Sequence, residues 1–220
     1  QVISAGGAQA VGDSLSRAVG SAAAGLAAAM FINALSSANI SNLEQLVGSS
    51  AISGLLHSMR RSTDDSLLQL HGLRALIAIA ASSSSVQVLL QHGAAELSLN
   101  IMDKYKENPD VLRECMFLTS SLLLVPDGSH RITSANGFGV IVNAVIANLN
   151  NPSIRAAAME LIELMSSDQL IREKVASIHA VARKITTGRM DEEQMSNLVQ
   201  LAMELATLSM IPSNVDKIIQ

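Results

Sequence analysis

Aromatic residues, cysteine and charge are all scarce in this chain of 220 residues. It has no Trp, one Tyr, three Phe and a single Cys, and only 15% of its residues are charged. The lone Cys115 excludes an internal disulfide, a cysteine-based zinc site and a CxxC redox pair. Four aromatic side chains and a net charge of −4 also argue against a nucleic-acid-binding surface. At 49% hydrophobic residues, the chain is too apolar to be disordered.

The motifs of catalysis and cofactor binding are missing as well. The sequence contains no G-x-x-x-x-G-K-[ST] loop, and its five histidines form no HExxH motif and no His/Cys cluster. Cys115 lies in an apolar helical stretch, where a thiol is expected to be buried and inert. We therefore predict no catalytic residue, no metal and no cofactor. The cysteine content favours a reducing intracellular compartment, most simply the cytoplasm.

One long stretch carries no charge at all, from Ala18 to Leu35 (AVGSAAAGLAAAMFINAL). Its length would allow it to anchor a membrane subunit. Most of its residues are Ala, Gly and Ser, however, which gain little from entering hydrocarbon. The favoured interpretation is a buried helix whose small side chains let neighbouring helices approach closely.

Three kinds of mark recur with a period of about 43 residues, as in repeat architectures. Small residues before an apolar helix start are spaced 44, 43, 44 and 39 residues apart, at Gly6, Ser50, Gly93, Gly137 and Ala176. Candidate N-caps before long apolar helices are spaced 43, 43 and 40 apart, at Asp65, Asn108, Asn151 and Asp191. Short apolar segments precede the small residues as VQVLLQ, HRITSA, IREKVA and finally VDKIIQ.

Each repeat is therefore predicted to contain a short, a medium and a long helix. The approximate repeats are 1–42, 43–85, 86–129, 130–170 and 171–214, with a further one starting at 215–220. The predicted long helices are Ala18–Leu35, Ser66–Ala80, Asp110–Val125, Ser153–Met165 and Glu192–Leu208. Because these helices are apolar on more than one face, stacked repeats must cover them. The side chains expected between repeats are Leu76, Met116, Phe117, Met159 and Ile162. A turn or short loop that contains Ser129-His130 is expected after Asp127-Gly128.

With these marks the chain resembles the armadillo-repeat family, over nearly its whole length. The best local matches are SANGFGVIVNAVIANLNNPSIRAAAMELIELM and LLQHGAAELSLNIMDKYKENPDVLRECMFLTSSLL. The resemblance implies an all-α, right-handed solenoid of about five repeats, with HEAT repeats as the near alternative. It also implies a non-enzymatic scaffold, adaptor or structural subunit that binds a partner along the third helices. The Trp/Asn ladder of importin-like members is absent, and Asn33 is its one plausible match.

The long helices can be aligned on Leu68, Leu112, Ile154 and Met195. The residues two, six and nine positions after these four are predicted to form a partner-binding stripe. Its members are Arg74, Glu114, Leu118, Ser121, Glu160, Glu163, Asn197, Leu201 and Glu204. Four of these are Glu, which favours a basic partner, and the two leucines favour an amphipathic helical one. The glutamates could also be ordinary solvated residues.

Two other functions remain open at this level. One, from the resemblance, is a chaperone cofactor that grips an Hsp70-like domain. The other is a membrane-anchored subunit that uses residues 18–35. Phase matching places both ends of the sequence within short helices, with Val2, Ile3, Val215, Ile218 and Ile219 needing cover. We therefore expect a longer chain, or ends that dock on other chains.

Overall fold

The described part of the chain is all-α. The computed structural model describes residues 6–17, 21–36, 47, 50–166, 171, 173–174, 176–177 and 192–219, and no strand occurs among them. Twelve helices have defined bounds in these ranges: α1 (Gly7–Arg17), α2 (Ala22–Ser36), α3 (Ala51–Arg61), α4 (Ser66–Ile79), α5 (Ser83–Gln91), α6 (Ala94–Lys104), α7 (Pro109–Leu123), α8 (Pro126–Ser134), α9 (Gly137–Ala147), α10 (Pro152–Met165), α11 (Glu192–Ser209) and α12 (Pro212–Ile219).

The N-caps of the long helices lie where the sequence predicts them. Asp65 accepts a hydrogen bond from the backbone N–H of Leu68 at 2.9 Å. Asn108 and Asn151 each accept from two N–H groups of the first turn, and a proline follows each of them. Asp191 lies outside the described residues. Helix α2 has a cap that the sequence reading missed, because Ser21 Oγ accepts from Ala24 N at 3.3 Å.

A left-handed backbone conformation occurs at or next to three of the predicted small-residue positions. Gly6 and Gly93 have φ values of +83° and +75°. The next break is made by Asn136, at +56°, and not by the predicted Gly137, which begins α9. Asparagine tolerates this conformation better than other non-glycine residues, so it serves here in place of glycine. Ser50 has an ordinary right-handed conformation, with φ −71°.

The turn expected at Ser129-His130 is wrong, because both residues belong to α8. Pro126 occupies the first position of this helix, where its missing N–H leaves no bond unmade. A Cβ on Gly128 would lie 1.9 Å from the carbonyl oxygen of Leu122, at the end of α7. The glycine is therefore required by close helix packing and not by a turn.

The structure divides into two compact units, Gln1–Ala135 and Asn136–Gln220. In the N-terminal unit the long helix α2 packs against α4, and α4 packs against α7. The medium helix α1 packs against α3, and α6 against α7. Leu55, Leu68, Leu76, Leu89 and Leu112 are fully buried in the core between them.

The helices α2 and α4 run in the same direction. Near their starts, Gly25 lies so close to Leu68 that a Cβ on the glycine would be 3.2 Å from Leu68 Cδ1. Further along both helices, Asn33 Nδ2 donates to the carbonyl oxygen of His71 at 3.1 Å. The two long helices α2 and α4 thus lie side by side and parallel.

Polar contacts also join distant segments of the sequence in the N-terminal unit. Tyr105 donates its hydroxyl to the carbonyl oxygen of Thr63 at 2.8 Å, and Lys104 pairs with Asp64. Desolvation by burial raises the pKa of the Tyr105 hydroxyl. These contacts hold the C-terminal end of α6 against the loop before α4, across 40 and 42 residues of sequence.

Arg60, near the end of α3, donates to the carbonyl oxygens of His92 and Gly93. A Cβ on Gly93 would lie 2.6 Å from Arg60 Nη2. We therefore expect Gly93→Ala to destabilise the protein by about 1–2 kcal/mol from the left-handed backbone, with an added cost for displacing Arg60. Urea unfolding measures the loss. In an Arg60→Ala background the same change should cost less, and equal costs in both backgrounds would contradict the steric contribution.

In the C-terminal unit, α9 packs against both α10 and α11, and α11 packs against α12. Ile141, Val142, Leu161, Ile162 and Leu208 are fully buried. Helix α9 therefore forms the centre of this unit.

None of the helices with described residues combines the length and the apolar character needed to cross a membrane. Helix α2, which covers most of the predicted anchor 18–35, has 15 residues, whereas a span needs about 20. Ala29 and Ile32 of this helix are fully buried by neighbouring helices.

Candidate protein-binding surface

The predicted stripe does not form one surface. Arg74, Glu160, Glu163 and Asn197 are exposed, and Glu114, Ser121 and Leu201 are partly buried. Leu118 is fully buried and Glu204 is only 3% exposed. A partner could not reach these two side chains in the folded protein, so both are removed from the candidate surface.

A one-residue error in the alignment of the long helices explains why the predicted stripe mixes exposed and buried side chains. The N-cap gives each long helix a common origin, and Leu118 is the tenth residue after Asn108, whereas Arg74 is the ninth after Asp65. One residue rotates a side chain by about 100° around the helix axis, from solvent into the core. The same error explains why Phe117, expected to be buried, is 47% exposed. Of the other residues expected between repeats, Leu76, Met116 and Ile162 are buried and Met159 is partly buried.

Counting from the cap shows which positions face solvent. The ninth residue is exposed on four consecutive long helices, as Met30, Arg74, Phe117 and Glu160. The positions seven residues before and after it lie on the same helix face, since seven residues are nearly two turns. We call the resulting surface of α2, α4 and α7 the outer face; its large side chains are Met30, Leu67, Arg74, Phe117 and Leu124.

The outer face is mainly apolar. Met30 and Leu67 are each 52% exposed and Leu124 is 75% exposed. Single exposed apolar residues are common on proteins, but Met30, Leu67 and Phe117 on three adjoining helices form a patch with Leu124, the C-cap of α7. Phe, Met and Arg are also enriched at protein interfaces, and three of the five large side chains of the outer face are of these types.

An ion pair lies within this apolar patch. Arg74 Nε, on α4, is 2.9 Å from Glu114 Oε1, on α7, and joins two residues of the predicted stripe. The Glu114 side chain is 16% exposed and that of Arg74 is 47% exposed. The arginine therefore neutralises the glutamate and keeps part of its guanidinium available to a partner.

The fourth glutamate of the stripe has a structural role. Glu204 Oε2 lies 2.6 Å from Lys174 Nζ, a contact with the distance of an ion pair but without the angles of a hydrogen bond. Gln200 Nε2 donates to the other carboxylate oxygen at 3.3 Å. Lys174 Nζ is also 5.6 Å from the centre of the Phe138 ring, within the range of a cation–π contact. The predicted acidic surface is thus reduced to Glu160 and Glu163 on α10, beside the exposed Leu164.

Two further residues singled out in the sequence have internal contacts. The side-chain amide of Asn33, the one match to an Asn ladder, donates to the His71 carbonyl and so links α2 to α4. Cys115 is completely buried, as expected, and burial together with the nearby Glu114 raises the pKa of its thiol. A thiol in this environment stays protonated and unreactive.

Met30, Leu67, Phe117 and Leu124 were missed as surface residues by the sequence reading. The signal that could have found them is the capping residue, because its position fixes the rotation of every later residue in the helix. The groups of His, Cys, Asp and Glu in the described ranges include none arranged to hold a metal ion. Comparison with known proteins found no matching family model, no matching curated protein and no matching solved structure.

Proposed function

We propose that this protein is a non-enzymatic interaction scaffold or adaptor that binds an amphipathic helix of a partner protein on the outer face. The observation that carries the proposal is the exposure of four apolar side chains on a layer of three long helices that pack side by side. Met30, Leu67 and Phe117 lie on these helices, and Leu124 is the C-cap of α7. Apolar side chains held on a rigid helical layer are suited to the apolar face of a partner helix.

The chemistry of the outer face favours a helix over a basic extended tail. The four apolar side chains outnumber the charged ones, and the glutamate nearest to them, Glu114, is already paired with Arg74. The exposed part of the Arg74 guanidinium suits a carboxylate of the partner, because arginine donates several hydrogen bonds in a fixed plane. A partner helix with an apolar stripe and an acidic residue at its edge therefore fits best.

The proposal includes an armadillo-type solenoid as the architecture. It is supported by the period of about 43 residues in the sequence and by contacts between residues about one period apart. These include Arg74 with Glu114, 40 residues on, and Tyr105 with Thr63, 42 residues back. In a solenoid each repeat contacts its neighbours in this way, and the row of long helices forms an extended binding surface.

Site-specific photo-crosslinking tests the function. A photoreactive residue at Phe117 should capture a discrete partner in extract of the source cells, and mass spectrometry of the product should identify an amphipathic helical segment. The same residue at Gln87, exposed on α5 away from the outer face, is the control. Adding Arg74→Glu should reduce capture at Phe117. Identical products from both positions, or a crosslinked segment that is extended and basic, would contradict the proposal.

Glu160 and Glu163 provide a second test with the partner so identified. Reversing both to Lys should slow association if the partner is steered by positive charge, and the difference should shrink as salt is added. Stopped-flow association rates at low and high salt measure this. The charge-neutral pair Glu160→Gln and Glu163→Gln should show an intermediate rate. Equal rates at low salt for all three proteins would show that these glutamates do not steer the partner.

A further inference from the structure

The methionines of the N-terminal unit differ sharply in exposure. Met59, Met102 and Met116 are at most 1% exposed, because they lie in the packed core between the helices. Met30, on α2, is 52% exposed, and it is the one exposed methionine among the described residues of this unit. An oxidant in solution therefore reaches the sulfur of Met30 and is kept from the other three.

The side chains next to Met30 on α2 leave its sulfur open. Residues three and four positions apart are neighbours on the surface of a helix. At these positions Ala27 and Ala34 are small and are themselves exposed. Asn33 donates its side-chain amide to a carbonyl oxygen of α4. Helix α2 itself therefore offers the thioether little cover.

The thiol of this chain does not compete with Met30 for an oxidant. Cys115 is the single cysteine of the sequence and is completely buried. Burial raises the pKa of its thiol, which stays protonated. Within the described part of the N-terminal unit, the sulfur that meets solvent is therefore the thioether of Met30.

We infer that Met30 is a modification site, at which hydrogen peroxide forms methionine sulfoxide in the folded protein and thereby weakens partner binding to the outer face. A sulfur lone pair attacks one peroxide oxygen and the O–O bond breaks. The proton of the attacked oxygen moves to the leaving hydroxide, which departs as water. The sulfur is oxidised by two electrons and the peroxide is reduced. The effect on binding rests on the proposed function, whereas the selective oxidation of Met30 does not.

A sulfoxide at Met30 changes the outer face and leaves the core intact. Its oxygen is polar, and a partner helix that covers it removes it from water. In the unbound protein the same oxygen stays in water, because the Met30 side chain is half exposed. Affinity for the partner should therefore fall by about tenfold while the helix content is unchanged. The change is reversible, since methionine sulfoxide reductases restore the thioether.

Peptide mapping by mass spectrometry tests the modification. The full chain is treated with hydrogen peroxide, quenched with catalase at successive times and digested, and circular dichroism verifies that it stays folded. The sulfoxide of Met30 should form at least about tenfold faster than those of Met59, Met102 and Met116. Met210, which is 60% exposed after the end of α11, should be oxidised about as fast as Met30. Equal rates for Met30 and Met59 would overturn the inference and leave the proposed function intact.

Photo-crosslinking from position 117 in dialysed extract of the source cells tests the effect on binding. At a concentration that gives half-maximal capture, oxidised protein should give no more than about one fifth of the product of untreated protein, as a tenfold weaker affinity requires. Methionine sulfoxide reductases with dithiothreitol should restore the yield. Met30→Gln, which is polar without any oxidant, should also capture poorly. Met210→Gln, outside the outer face, is the matched control and should capture like the wild type.

Met30→Leu assigns the loss to one sulfur, because it keeps an apolar side chain that peroxide does not oxidise. Its capture should be the same before and after oxidation, although the exposed methionines of the C-terminal unit still react. Full capture by protein that carries the Met30 sulfoxide, or an equal loss in Met30→Leu, would overturn the inference while the proposed function stands. Failure of untreated protein to capture a discrete partner would overturn the proposed function and the effect on binding together. The rates for Met30 and Met59 decide the modification in either case.

Discussion

Leu118→Ala is expected to destabilise the protein by about 2–5 kcal/mol, whereas Phe117→Ala, one residue earlier, should change its stability by no more than about 0.5 kcal/mol. Leu118 is fully buried in the layer formed by the long helices, and its truncation leaves a cavity in a packed core. Phe117 is 47% exposed on the outer face, so its loss removes little buried surface. Urea unfolding followed by circular dichroism measures both changes.

This pair of variants tests the rotation of α7 directly, since the two residues share a helix and differ mainly in burial. Leu118→Met, which keeps the volume, serves as the control and should cost less than about 1.5 kcal/mol. A larger loss for Phe117→Ala than for Leu118→Ala would mean that the helix is rotated, and the outer face would then have to be redefined.

Lys174→Met is expected to cost about 3–5 kcal/mol, because it leaves the buried carboxylate of Glu204 without its partner. The lysine also gives up its cation–π contact with Phe138. Its side chain is 18% exposed and that of Glu204 is 4% exposed, so water compensates neither group well. Chemical denaturation of the purified variant measures the loss.

The double variant Lys174→Met with Glu204→Leu distinguishes an unpaired charge from lost packing. Replacing both members of a buried ion pair by apolar residues of similar size is often neutral or stabilising. The double variant should therefore recover most of the stability that Lys174→Met loses. If its loss equals the sum of the two single losses, the two side chains do not interact in solution and the ion pair does not hold this unit together.

Helix positions were more predictable than helix faces. Asp65, Asn108 and Asn151 mark helix starts through hydrogen bonds within one turn, and such local chemistry is readable in the sequence. The turn expected after Gly128 was wrong because the reason for this glycine, the approach of the Leu122 carbonyl, comes from a different helix. The position of each cap also determines which side chains of its helix face solvent. An alignment based on apolar residues instead of the caps placed the residues of α7 one position too far along the helix.

The sequence by itself determined the all-helical class, the starts of α4, α7 and α10 and the spacing of about 40 residues between Arg74 and Glu114, since these follow from local hydrogen bonding and from a recurring pattern. Only the tertiary structure decided which side chains are available to a partner. Met30, Phe117 and Leu118 are all apolar and all helical, and their exposure depends on whether a neighbouring helix covers that side. Hydrophobic burial is not directional, so composition alone does not show which apolar face is left uncovered.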